Sequence, residues 1–289
     1  MTDRRWRFVV TMTVGWTLMV TALGCAGSVT PRGDGDTSTV VTPPAAESTT
    51  TETSLSTTTI PFASTTAPVA TTAPVSTTKP PTTLRPGALA PGKEYSKVPG
   101  TARVVAFTFD ASYDPEPLAD ILDALAAADV PATFFLTGEF VADFPDAVAE
   151  IVQAGYPVGN HSYSHPDFTG LPEAKIRSQL ERTAALITDA GAADPRPLFR
   201  FPYGARDGRT LAAVGDAGYA SVYWTIDTLD WKPDRTPAEI ETTVLDHLQP
   251  GAIILMHVGS RQTASILADI IRKVRDEGYT LVALAAAEK

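Results

Sequence analysis

The chain has 289 residues, 44% hydrophobic and 8% aromatic, with 23 basic against 33 acidic residues and a net charge of −10. Beyond residue 100 the imbalance sharpens to 15 basic against 27 acidic residues, so nucleic acid and anionic membrane surfaces, which call for clustered Lys and Arg, are poor partners. Thr and Pro concentrate before residue 100 while apolar residues concentrate after Arg103, which excludes a single globule spanning the whole chain.

At the N-terminus, Arg4, Arg5 and Arg7 precede an uncharged, mostly apolar run from Phe8 to Leu23. That layout predicts an export signal, the run being shorter than the roughly 20 residues that span a bilayer comfortably. The run ends at Ala22-Leu23-Gly24-Cys25, and Cys25 is the only cysteine, so no disulfide forms within the chain. The placement resembles a bacterial lipobox, in which the signal is cut before the Cys and the thiol is acylated. Residues 1–25 are therefore expected to end in a lipid attachment site that anchors the protein to the cell membrane. An uncleaved anchor and plain secretion are the alternatives, and all three put the remainder outside the cytoplasm. Residues 26–99 are rich in Thr, Ser, Pro and Ala, with Thr-Thr-Ala-Pro-Val at 65–69 and again at 71–75. Without a sustained apolar period such a segment cannot offset its ordering entropy, which predicts a disordered tether.

From residue 100 the pattern changes to alternating strand and helix signals. Strands are predicted at 103–109, 132–136, 157–159, 198–201, 220–225, 252–256 and 280–283. Helices are predicted at 115–128, 145–154, 172–190, 209–217, 237–248 and 262–277, with Gly155, Gly191, Gly218 and Gly278 at the expected C-caps. This alternation predicts an α/β domain on a parallel sheet of about seven strands, doubly wound or closed into a small irregular barrel. Neither a Gly-x-Gly-x-x-Gly after the first strand nor a Walker-type loop is present, so a nucleotide site has no support.

Polar residues gather just past the strands. Asp110 follows the first, His161 and His165 the third, and Arg200 ends the fourth; Asp227 and Asp230 follow the fifth, and His257 the sixth. In a parallel α/β barrel these ends share one face, where sites form. Taken singly, each residue has two readings. His161 and His165, four apart, could chelate a divalent ion or be an ordinary surface pair. Asp110 could be a base or a helix N-cap; Arg200 could orient that carboxylate or only neutralise it. His257 ends an apolar run and would need a dedicated partner there. His247, beside Asp246 on a helix, reads as solvated surface.

Jointly, Phe109-Asp110-Ala111, His161-Ser162-Tyr163-Ser164-His165, Arg200-Phe201-Pro202-Tyr203-Gly204, Asp227-Thr228-Leu229-Asp230-Trp231 and Leu255-Met256-His257 resemble the five motifs of the polysaccharide deacetylase family (NodB homology, carbohydrate esterase family 4). The resemblance covers residues 100–289 and implies a distorted (β/α) barrel. It also implies Asp110 as general base, His161 and His165 as ligands of a divalent ion (most often zinc, sometimes cobalt), and Arg200 holding the base. Tyr203 would supply an oxyanion N–H, and Trp231 with Leu255 an acetyl pocket. His257 would be the general acid tuned by an aspartate, Asp230 in preference to Asp227. The family usually has a second Asp directly after the base as a third metal ligand; here that position is Ala111, leaving Asp114 or water to replace it. The implied activity is removal of N-acetyl groups from envelope glycan, foremost peptidoglycan, by a monomer. The alternatives are a non-catalytic glycan-binding module and an esterase on O-acetylated polysaccharide such as xylan.

Overall fold

A computed structural model describes residues 89–100 and 102–284; the predicted export signal, Cys25 and residues 26–88 of the predicted tether lie outside the described residues. Among the described residues nine strands run β1 (Glu94–Tyr95), β2 (Val104–Ala111), β3 (Ala132–Leu136), β4 (Val158–Asn160), β5 (Leu198–Phe199), β6 (Ala220–Val222), β7 (Ile226–Asp227), β8 (Ala252–His257) and β9 (Thr280–Leu281). Seven helices intervene: α1 (Leu118–Ala127), α2 (Gly138–Asp143), α3 (Pro145–Gln153), α4 (Glu173–Asp189), α5 (Gly208–Asp216), α6 (Pro237–Asp246) and α7 (Arg261–Asp276). Every strand pairing is parallel, in the order β1-β6-β5-β4-β3-β2-β8-β7, with β9 beside the start of β2. The series of eight curls into a half-barrel rather than closing.

Strand β2 shows why the sheet is two-sided. All eight of its residues are buried, as expected for a central parallel strand covered on both faces. Val105, Phe107, Phe109 and Ala111 join the larger apolar cluster with α1 residues Leu118, Ile121 and Leu125 and α7 residues Leu267, Ile270 and Val274. Val104 and Ala106 join a second cluster with Phe135, Val222 and Ile253. The period of two therefore sends odd positions toward the helices and even positions into the barrel, so that Ala106, Thr108 and Asp110 climb its inner face. Caps fix where the helices begin: Ser260 accepts the Thr263 N–H ahead of α7 at 3.1 Å, and Thr236 and Glu239 form a capping box ahead of α6.

Two sequence expectations change. The predicted strand at 220–225 ends at Val222 as β6, which pairs β1 and β5, while β7, not predicted, forms beyond it at Ile226–Asp227 and pairs β8. Residues 223–225 thus carry the chain from one end of the series to the other. The domain boundary also moves. Leu89 and Val98 are 2% and 3% exposed, β1 pairs β6, and Lys97 bridges Ala252. Residues 89–99, assigned by composition to the tether, pack as part of the domain. Composition missed this because a few apolar residues suffice to plug an already formed barrel.

Candidate functional site

The register of β2 against β8 sets Asp110 opposite His257 at the C-terminal edge of the sheet. Asp110 is 5% exposed, and its Oδ1 accepts from Arg200 Nη1 at 2.7 Å. Arg200 is wholly buried. Its Nε donates to the Val222 carbonyl at 3.1 Å, its Nη2 to the Tyr223 carbonyl at 3.4 Å, and its guanidinium lies 4.3 Å from the Phe135 ring centre. So fixed, the cation meets one carboxylate oxygen and leaves the other toward His161, 3.4 Å away. Burial alone would raise the Asp110 pKa, but Arg200, then His161 and His257, outweigh it and hold the group below the usual carboxylate range.

His161 Nδ1 lies 2.9 Å from the Arg200 carbonyl. A carbonyl only accepts, so Nδ1 carries the hydrogen and Nε2 presents its lone pair to Asp110 and the cavity. Burial pushes His161 below its usual pKa, against the opposing pull of Asp110, and pushes His165 down to about 4. Both imidazoles are neutral at pH 7. The loop carrying them is wound tightly, with Ser162 and His165 at φ of 70° and 56°, which places their rings edge to face at 4.8 Å. Asn160 and Gln179 keep it so. Asn160 accepts the Ser162 N–H and donates to Leu180, while Gln179 accepts the N–H groups of Tyr163 and Ser164.

Across the cavity, His257 Nδ1 meets Asp230 Oδ1 at 2.7 Å, and Asp230 Oδ2 accepts both the His257 backbone N–H at 3.0 Å and the Thr263 hydroxyl at 2.6 Å. Burial pulls the His257 pKa down, but the Asp230 hydrogen bond and charge, helped by Asp110 and Asp227, carry it above the usual value. Asp227 adds charge to this effect but makes no hydrogen bond to His257. Its carboxylate accepts the Leu229 N–H at 2.9 Å in a turn where Leu229 has φ 55°, and burial raises its pKa. The preference for Asp230 over Asp227 as the partner of His257 agrees with this geometry.

Asp110, His161, His165, Asp227 and His257 line a cavity of about 620 Å³ together with Tyr203, Trp231, Leu255, Trp224 and Tyr113, a volume in the range of small-ligand sites. Tyr203 has φ 57° in the turn after Arg200, which sets its ring edge-on to His165 at 4.5 Å. Leu255 is 4% exposed and Trp231 51%. His247 is apart from all this, with Nδ1 2.9 Å from the Thr243 carbonyl at the exposed end of α6.

The Asp114 carboxylate, named as a possible replacement ligand, is engaged outside the cavity. Its Oδ1 accepts the Glu116 N–H at 3.1 Å, its Oδ2 faces Arg261 at 3.5 Å, and it does not line the cavity. The short spacing from Asp110 suggested proximity; the left-handed backbone of Asp114, φ 34°, turns it away instead. Ala111 is 1% exposed among the helix-side apolar residues. Among the described residues no three His, Cys, Asp or Glu side chains gather as a metal cluster. Two neutral imidazoles, one with a lone pair aimed inward, fit a divalent ion whose remaining positions go to water or substrate; they do not make a three-ligand protein cage.

Sequence reading missed Thr263, Asn160, Gln179, Trp224 and Tyr113. The first three act by hydrogen bonds across 15 or more residues, for which one sequence holds no signal. A polar residue completing each strand end was legible; its anchor elsewhere was not.

The sequence pattern described as polysaccharide deacetylase matches residues 97–222. A chitooligosaccharide deacetylase from Bradyrhizobium is 37% identical over 168 residues, which are 58% of this chain and 75% of that protein. A solved peptidoglycan N-acetylglucosamine deacetylase superimposes with TM-score 0.63 at 32% identity, over 67% of this chain and 91% of the other. A carbohydrate esterase family 4 pseudoenzyme from Bacillus anthracis superimposes with the same score and identity, over 69% and 68% of the two chains.

Proposed function

The chain belongs to the polysaccharide deacetylase family, and from that premise we propose that it hydrolyses the N-acetyl groups of an envelope glycan, peptidoglycan foremost, releasing acetate. The observation that carries this reading is the opposed pair of supports in one cavity. Arg200 favours the anionic form of Asp110, and Asp230 favours the protonated form of His257. A site that only bound sugar would have no need of an acceptor and a donor biased in opposite directions. Asp110 would take a proton from the attacking water, its low pKa ensuring the anion at the cost of base strength. The Nδ1 of His257 is committed to Asp230, so its Nε2 proton is the one available to the departing amine. Leu255 and Trp231 would exclude water around the acetyl methyl. A divalent ion on His161 and His165 would supply an acidified water and polarise the carbonyl.

Peptidoglycan is favoured over other N-acetylated sugars by the peptidoglycan deacetylase among the similar structures and by the export signal and tether read from residues 1–88. The same reading puts the protein outside the cytoplasm, attached through acylated Cys25. One observation favours a second reading: Ala111 stands where a third ligand is expected, and the likeness to a pseudoenzyme equals the likeness to an enzyme. The test is acetate release from purified peptidoglycan by the full chain, with and without chelator. Chelator-sensitive release is the expected result; glycan binding with no release would establish the non-catalytic alternative.

A further inference from the structure

Among the described residues, three large hydrophobic side chains stand out as exposed: Tyr113 at 56%, Tyr203 at 72% and Trp231 at 51%. All three line the one cavity that holds the acid and the base. Exposed aromatics scattered singly need no account; three around one concave site mark a binding surface. Tyr203 and Trp231 already have places in the proposed chemistry. Tyr113 has none.

Its position is built. β2 ends at Ala111, and three residues later Asp114 turns the chain back in a left-handed conformation closed by its own side chain on the Glu116 N–H. Arg261, the first residue of α7, pairs with both Asp114 and Glu116. These ion pairs are solvent-exposed and add little to stability; what they do is tie the 112–116 loop to the start of α7. Gly259 completes the seat. A Cβ there would stand 3.2 Å from Tyr113 Cε2, so the ring lies against bare backbone two residues beyond His257, with over half its surface open.

We infer that Tyr113 is a stacking platform for the sugar next to the one being deacetylated, and that Arg261, acting through Asp114 and Glu116, is the positioning residue that holds it. Pyranose rings carry an apolar face of C–H groups that packs on an aromatic ring, and a tyrosine offers that surface with little rotamer entropy to lose. The platform flanks the Asp110–His257 pair on the side of Gly259, whereas Tyr203 and His165 flank the other. The site would therefore select glycan chains over single N-acetylated sugars. This rests on the proposed deacetylase function of the same site.

The experiment uses the full chain and β-1,4-linked N-acetylglucosamine oligomers of one to five sugars. The readouts are acetate release and, in an Asp110→Asn background, oligomer affinity by calorimetry. Tyr113→Ala should lower the pentamer-to-monomer ratio of kcat/KM about three- to tenfold, with the loss in KM rather than kcat. Tyr113→Trp should keep the ratio, and Arg261→Ala should lower it partly, with Arg261→Lys restoring it. An unchanged ratio in Tyr113→Ala would overturn the platform. If the parent protein releases no acetate from any oligomer or from purified peptidoglycan, the deacetylase reading fails. The affinity ratios then decide the platform on their own: a smaller chain-length dependence in Tyr113→Ala supports it, and an equal one overturns it.

Discussion

At the N-terminal edge of the sheet the barrel interior is closed by Leu89, Val98, Val282 and Leu284, each 3% exposed or less. At the C-terminal edge the same interior opens on Asp110, His161, His165 and His257. The difference extends to the backbone. Of the six non-glycine residues with positive φ among the described residues, Asp114, Ser162, His165, Tyr203 and Leu229 lie in loops at the C-terminal edge, and Asp129 lies elsewhere. Strained conformations persist where surrounding structure over-determines them, and here backbone N–H groups donating to Asn160, Gln179 and Asp227 do so. One edge is stabilised by burial and the other is held in place by polar contacts, so changes at the two edges should produce different kinds of loss.

The largest effect belongs to the polar edge. Asp110→Asn and His257→Ala should each reduce acetate release by about 10²–10⁴-fold, the usual contribution of a positioned acid or base, while far-UV circular dichroism stays native-like. Near-normal release by Asp110→Asn would remove the base from the scheme. The apolar edge should fail through folding instead. A chain beginning at residue 100 loses Leu89 and Val98, each worth about 1.5–3 kcal/mol when buried, whereas a chain beginning at 85 keeps both. Denaturant unfolding should show the shorter chain less stable by about that sum. Equal stability would mean that the strap of residues 89–98 adds nothing to the barrel.

A subtler contrast lies in charge. The raised pKa of His257 means that its acid form survives to higher pH than a free imidazole, whose usual value is 6.5. Asp230→Asn removes the hydrogen bond and charge chiefly responsible, so that only Asp110 and Asp227 still oppose the downward pull of burial. The alkaline limb of kcat/KM should move to lower pH, with a smaller loss at low pH than His257→Ala shows. Stability follows the same sign: the pair's contribution is complete below the usual imidazole value and fades as pH rises through the raised one. A pH profile of Asp230→Asn that matches the parent would assign the tuning elsewhere.

Much of this was legible in the sequence because strand ends announce themselves. An apolar run such as 252–256 followed at once by His257 can only deliver that histidine to a sheet edge, and five such endings in one order are specific. What escaped was whatever depends on pairing across the chain. Strands β1 and β7 have two residues each, too few for a period. Asp230 and Thr263 meet 33 residues apart. Asp114 looked available to a metal because sequence distance says nothing of a left-handed turn.

The smallest expected effect tests the boundary between the polar edge and the apolar layer beneath it, where Ala111 sits one residue past the base. Inserting a carboxylate by Ala111→Asp puts an unpaired polar group among helix-side apolar residues, a cost of about 1–3 kcal/mol. In chelator the variant should therefore melt below the parent. With zinc added, the end of β2 can turn the new carboxylate toward His161 and His165, and an anionic oxygen joining two imidazoles gives the usual three-ligand open site. The melting temperature should then recover, at lower free zinc than the parent needs for its own shift. Asp114→Ala serves as the control, since its carboxylate faces Arg261 and its removal should leave zinc affinity unchanged. Looser zinc binding in Asp114→Ala would return that residue to the metal. An Ala111→Asp variant as unstable with zinc as without would fix position 111 in the apolar layer, leaving the two imidazoles as the whole of the protein's contribution to the ion.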